Sequence, residues 1–264
     1  MPDWIAIVLL GIIEGITEFL PISSTGHLLI AEHTQWLPRQ SDLFNIVIQC
    51  GAVLAVLPLF PDRLRQFFFR WREPATREYL LKIAVAFAIT GVGGLLLDQA
   101  QVKLPEKLLP VAVAMLVGGV LFLVVEAWLR GRTPSQEITW TIVAAVGLGQ
   151  LIAAIFPGTS RSGATILLAL TLGLSRLAAT EFSFLVGIPT MLAAGGLKIF
   201  KQLHHPTPTA SEDWGMVLLG SLVAAVVSFV AVKWLLFYVR SHTFSLFGWY
   251  RIAFGTFILV LIFR

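Results

Sequence analysis

The chain is poor in charge: Asp, Glu, Lys and Arg make up 13% of its 264 residues, about half of the roughly 25% usual in soluble domains. So few charges cannot cover a globule with a solvated face, which excludes an ordinary soluble enzyme. Cysteine is nearly absent. Cys50 stands alone, so no intramolecular disulfide can form and the redox compartment stays unread. The start, Met1-Pro2-Asp3, has no basic segment, and no small-residue cleavage site follows the first apolar stretch. A removable signal peptide is therefore not expected. The net charge of +4 does not point to nucleic acid, because the basic residues sit in short loops between apolar blocks, where they orient a chain in a membrane.

Apolar residues are abundant, at 57% of the chain with a mean hydropathy of +0.84. Six blocks have the length of a membrane span: Leu43 to Phe60, Tyr79 to Leu97, Leu108 to Val125, Phe182 to Leu197, Trp214 to Val239 and Phe247 to Phe263. Two further stretches are interrupted. Trp4 to Ala31 contains Glu14, Glu18 and Pro21, then Ser23-Ser24-Thr25-Gly26-His27. Ile142 to Leu174 contains Pro157-Gly158-Thr159-Ser160-Arg161-Ser162-Gly163. Two short helices flanking a polar break predict a re-entrant hairpin, tolerated in a membrane where protein lines it.

The breaks match one another. Gly11, Glu14, Pro21, Ser23 and Ser24 correspond to Gly147, Gln150, Pro157, Thr159 and Ser160 at a constant offset of 136 residues. Each half then reads as a hairpin followed by three spans, and an odd number of crossings inverts the second half. The expected fold is all-α: a polytopic membrane protein of one domain (1–264), with two inverted-topology repeats (about 1–135 and 136–264), six transmembrane helices and two re-entrant helical hairpins. Such repeats place polar sites near the midplane. Arg63, Arg65, Arg70, Arg72, Arg77, Arg130, Arg132, Arg176 and Arg240 fall on one side of this arrangement, the cytoplasmic one by the positive-inside rule. Arg39, Lys103, Lys107, Lys198, Lys201 and Arg264 fall on the other, with both termini.

Glu14 and Glu18 lie four apart, on one face of a helix. A carboxylate inside a membrane costs roughly 2.5–3.5 kcal/mol on insertion scales and is functional by default. The pair can take part of a Mg²⁺ or Ca²⁺ shell, or hold and pass protons. Ser23 and Thr25 can bind phosphate or simply cap a helix. Ser24 and His27, three apart, read as a candidate nucleophile and base. The second break reads as a phosphate cradle: glycines admit close backbone approach, a helix N-terminus attracts anions, and Arg161 offers a bidentate fork. Ser160, Ser162 and Thr165 can add hydrogen bonds, and Arg161 can alternatively pair with Glu14 or Glu18. A phosphate site inside lipid suits a pyrophosphate carried on a long isoprenoid.

The run Glu14-Gly15-Ile16-Thr17-Glu18-Phe19-Leu20-Pro21-Ile22-Ser23-Ser24-Thr25-Gly26-His27 closely resembles the first motif of the undecaprenyl-pyrophosphate phosphatases of the bacitracin-resistance family. Pro157-Gly158-Thr159-Ser160-Arg161-Ser162-Gly163-Ala164-Thr165 resembles the second. The resemblance implies hydrolysis of undecaprenyl pyrophosphate to the monophosphate and inorganic phosphate, which recycles the carrier for peptidoglycan synthesis and gives bacitracin resistance. It also implies a divalent cation, an inner-membrane location with the site open to the periplasm, and Glu14, Glu18, Ser24, His27 and Arg161 as essential groups. A secondary transporter or flippase for a phosphorylated lipid or anion is the rival reading. The nucleophile (Ser24, His27 or water) and a homodimer are left open.

Overall fold

The computed structural model describes residues 2–34, 36–101, 107–204 and 213–264; Lys103, from the outward-facing set, lies outside them. Eleven α-helices occur among the described residues: α1 (Asp3–Thr17), α2 (Ser24–His33), α3 (Asp42–Val56), α4 (Pro61–Phe69), α5 (Pro74–Gln99), α6 (Leu108–Trp128), α7 (Trp140–Ile155), α8 (Arg161–Thr171), α9 (Arg176–His204), α10 (Trp214–Tyr238) and α11 (Ser245–Phe263). The only β pairing among them is an isolated bridge between Ser135 and Leu174.

Five helices, α5, α6, α9, α10 and α11, are long and apolar enough to cross a membrane. Leu43–Leu59 with Pro61–Phe69, bent by 85° between them, is a candidate for a sixth crossing. This run ends within one residue of the expected first span, Leu43 to Phe60, although α3 itself stops at Val56. Pro58 and Pro61 lack the N–H that a helix interior needs, so α3 tightens into a 3-10 turn at Leu57–Leu59 before α4 departs. In the opposite sense, α9 starts at Arg176, ahead of the expected Phe182. Arg176 Nε donates to the buried carboxylate of Glu126 at 2.9 Å, and the same carboxylate accepts the Phe244 N–H at 2.8 Å. That junction ties the end of α6, the start of α9 and the α10–α11 turn together. Caps place other starts: Ser41 for α3, Thr139 for α7 and Asp213 for α10 each accept a first-turn N–H.

The helices expose leucine, valine, phenylalanine and tryptophan outward, while Glu14, Gln150, Thr180, Ser228 and Arg251 are buried. Lipid gives helices no hydrophobic reason to associate, so close packing through small residues takes over. The contacts recur between the two halves. α1 packs on α10 and α7 on α5, while α6 meets α11 and α3 meets α9. A Cβ on Gly11 would lie 2.9 Å from the Gly220 carbonyl, and one on Gly147, 136 residues later, 3.0 Å from the Ala86 carbonyl. Across α6 and α11, Gly119 faces the Gly248 carbonyl, and Gly255 faces that of Ala112. These two contacts exchange under the same offset of 136 residues (119 to 255, 112 to 248).

Candidate active site

Both breaks end on a capping serine in a backbone conformation rare for L side chains, Ser23 with φ 72° and Ser160 with φ 68°. Such conformations cost about 1–3 kcal/mol each and gather at functional sites. Ser23 Oγ accepts the Gly26 N–H at 3.3 Å, and Ser160 Oγ accepts the Gly163 N–H at 3.2 Å. The caps correct the expected register. Ser24 was aligned with Ser160, yet the structural counterpart of Ser160 is Ser23. The second break holds one more residue between its proline and its cap. Gly158 takes up the extra length with φ 91°, where a Cβ would lie 2.6 Å from the Val111 carbonyl. Only glycine fits there.

Ser24 and Arg161 are thus equivalent positions, each the first residue of its helix. Both converge on Glu18. Arg161 Nη2 donates to Oε1 at 3.0 Å, and Ser24 Oγ donates to Oε2 at 2.7 Å. The ion pair open to Arg161 is therefore formed, with Glu18 and not with Glu14. The first side chains of two helices thus meet on the same carboxylate.

A cavity of about 240 Å³ adjoins this pair, lined by Glu18, Ser23, Ser24, Thr25, Ser160 and Arg161, with Gln49, Thr90, Gln150 and Thr190 closing it. Glu14 is fully buried one turn before Glu18. Its neighbours include Glu18 and Gln49, but neither oxygen has a well-formed hydrogen bond. Gln150 Oε1 and Arg161 Nη1 are likewise buried without a partner. Buried polar groups are normally paired, so these atoms on α1, α7 and α8 are free to bind a ligand.

The remaining candidates sit elsewhere. Ser162 Oγ donates to the Leu20 carbonyl at 3.1 Å, and Thr165 Oγ1 to the Arg161 carbonyl at 3.0 Å, so these hydroxyls fasten backbone and do not line the cavity. His27 meets neither Ser24 nor Glu18 by a hydrogen bond. Its Nδ1 lies 2.7 Å from the Ser23 carbonyl and its Nε2 2.6 Å from the Tyr250 hydroxyl, in a groove between α1 and α11.

Three contributors escaped sequence reasoning. Gly187 in α9 backs the Arg161 guanidinium, which occupies the space a Cβ would need. Tyr250 meets His27. Arg251 is fully buried and donates to the carbonyls of Ala114, Gly158, Met115 and Pro21 at 3.0, 3.1, 3.3 and 3.2 Å. One guanidinium therefore clamps both breaks to α6. A lone arginine inside an apolar span was the available signal.

On the far side of the second break, α6, α7 and α8 enclose an apolar groove of about 620 Å³ that Pro157, Thr159 and Gly163 close at one end. A polar cavity and an apolar groove thus share one wall. Residues 7–257 match the family model described as bacitracin resistance protein BacA.

The chain belongs to that family.

An undecaprenyl-diphosphatase of Rhizobium leguminosarum bv. trifolii (strain WSM2304) is 51% identical over 259 residues, 97% of this chain and 96% of its own. The protein of the same name from Rhizobium etli (strain CIAT 652) is 50% identical over 258 residues, again 97% and 96%. That of Xanthomonas axonopodis pv. citri (strain 306) is 49% identical over 262 residues, 98% and 97%. The likeness spans both breaks and the helices that carry the cavity.

Proposed function

We propose that this chain hydrolyses undecaprenyl pyrophosphate to undecaprenyl phosphate and inorganic phosphate in the bacterial inner membrane, recycling the carrier for peptidoglycan synthesis and conferring bacitracin resistance. The observation that carries this reading is the convergence of Ser24 and Arg161, the first residues of two helices, on Glu18, beside a polar cavity within an apolar helical shell. The polar cavity suits a pyrophosphate, and the adjoining groove offers apolar lining for isoprenoid. The reading includes a periplasmic opening and two inverted repeats with re-entrant hairpins, which the recurring glycine contacts support.

The terminal phosphate displaces Glu18 from Arg161, whose free Nη1 and released Nη2 then form a fork for two phosphate oxygens. Ser24 Oγ attacks the terminal phosphorus while its proton passes to Glu18, the acceptor it already faces. The bond from phosphorus to the bridging oxygen breaks, and undecaprenyl phosphate leaves. Water then opens the phosphoserine, giving inorganic phosphate and returning the serine. Among the described residues no group of three or more His, Cys, Asp or Glu stands together. The unpartnered oxygens of buried Glu14 nevertheless fit a hard cation, and Glu14 with Glu18 would hold Mg²⁺ or Ca²⁺. Such a cation would supply charge neutralisation for the pyrophosphate.

Detergent-purified protein should release inorganic phosphate from undecaprenyl pyrophosphate, lose that activity in EDTA and regain it with Mg²⁺ or Ca²⁺. No release under any metal condition would leave a carrier of phosphorylated lipid as the reading. Sidedness has its own test: in a Cys50→Ala background, Gln40→Cys should label from outside the cell and Pro74→Cys only after permeabilisation.

A further inference from the structure

His27 stands outside the cavity, and its contacts give it a different task from accepting the serine proton. A carbonyl oxygen only accepts, so the 2.7 Å contact with the Ser23 carbonyl requires a proton on Nδ1. In the neutral ring Nε2 then carries the lone pair. The atom it meets is the Tyr250 hydroxyl, at 2.6 Å, which must be the donor. The Ser23 carbonyl thus selects the tautomer of the imidazole, and the phenol fills the acceptor role that this leaves to Nε2. The ring plane is fixed as well. Phe254 stacks on it at 4.2 Å with 8° between planes, and the Tyr250 ring is also nearly parallel, at 10°.

The far end of this chain of contacts is the strained serine. The Ser23 carbonyl belongs to the residue with φ 72°, whose backbone aims the following residue, Ser24, at Glu18. Besides the ring, that carbonyl accepts only a long backbone contact of 3.4 Å from the His27 N–H. An unfavourable φ persists when its surroundings over-determine it, and here the imidazole supplies the short contact.

We propose that Tyr250 is a positioning residue: its hydroxyl donates to Nε2 of the Nδ1–H tautomer that the Ser23 carbonyl requires, and His27 so held braces the Ser23 carbonyl and keeps Ser24 on Glu18. This rests on the proposed role of Ser24 and Glu18. His27 becomes a brace in the same relay, and its base function passes to Glu18.

Tyr250→Phe keeps the ring and its stacking and removes only the hydroxyl. In the full-length protein, turnover of undecaprenyl pyrophosphate should fall about fivefold in kcat with KM within about twofold, at unchanged melting temperature. Nitrogen-15 spectra of histidine-labelled protein, with the His27 signals identified by their loss in His27→Gln, should show Nδ1 protonated and Nε2 unprotonated. The Nε2 signal should move on Tyr250→Phe. Adding Tyr250→Phe to His27→Gln should cost nothing further, because both act through one contact. Phe254→Leu, which loosens the ring without touching either hydrogen bond, should lower kcat by less than Tyr250→Phe. Full activity of Tyr250→Phe beside an impaired His27→Gln, an Nε2–H tautomer, or additive losses in the double variant would each overturn the relay. Full activity of Ser24→Ala or Glu18→Gln would instead overturn the reading on which it rests, and the spectra would still report the tautomer.

Discussion

The two breaks are built on one plan and filled with opposite chemistry. Each has a short helix, a proline, a strained serine cap and a second helix whose first residue reaches Glu18. In the first hairpin that residue is Ser24 and the preceding helix carries Glu14. In the second it is Arg161, and Gln150 takes the place of Glu14, its amide donating to Thr90 at 2.9 Å. One half supplies hydroxyl and carboxylates, the other the cation. Repetition provides two helices whose first residues meet at Glu18, and divergence at three positions (Ser24 against Arg161, Glu14 against Gln150, Glu18 against Ala154) gives the halves opposite chemistry. The flanking grooves diverge too. Beside the first break the imidazole meets aromatic rings of α11. Beside the second, residues of α6, α7 and α8 line an apolar groove.

Removing the common acceptor should do most damage. Glu18→Gln keeps the shape but loses the charge that Ser24 and Arg161 share, and kcat should fall about 100-fold or more, with the midpoint of metal activation shifted. Turnover within threefold of the parent would break the picture of one hub serving both hairpins. Next comes the cationic side. Arg161→Lys keeps the charge but not the planar fork, so kcat/KM should fall at least about tenfold, or ~1.4 kcal/mol of transition-state binding. A normal value would show that charge alone distinguishes the second hairpin.

A smaller effect should follow from Gly187→Ala, where the new methyl meets the guanidinium. The guanidinium can shift, so a loss of about fivefold in kcat/KM at nearly constant melting temperature is expected. Combining it with Arg161→Lys should add little, because the shorter amine vacates that space. The smallest effect tests the divergence itself. Gln150→Glu restores an acid at the position matching Glu14, and the extra negative charge should raise KM about threefold while leaving kcat nearly unchanged. A fall in KM would mean that the second hairpin can take a cation as well.

The spans were legible because each is a long apolar run, and Glu14, Glu18 and Arg161 were legible because charge is rare between such runs. What escaped depended on neighbours distant in sequence. The one-residue slip at the caps came from Gly158, whose positive φ is set by close contact with Val111. The bend after α3 needed Pro58, inside the apolar run, and Pro61, just past its end, to be weighed together. The early start of α9 needed Glu126 and Arg176, 50 residues apart, to meet. His27 looked like a partner of Ser24 because helical spacing allows it, and only the position of α11 reveals the phenol that holds its ring. Arg251 was hidden by averaging, since a single charge hardly lowers the hydropathy of the span around it.

Arg251 also sets an order of events during biosynthesis. Its guanidinium binds the carbonyls of Pro21 and Gly158 from α11, which follows both breaks in the chain. An arginine at the centre of an isolated span costs roughly 2.5–3.5 kcal/mol to insert. Here the compensation lies in backbone carbonyls that earlier helices must already present. The last helix settles only on a correctly assembled body, and until it settles the two breaks are not clamped to one another. A nascent chain therefore carries the motif residues of both breaks before α11 clamps them together.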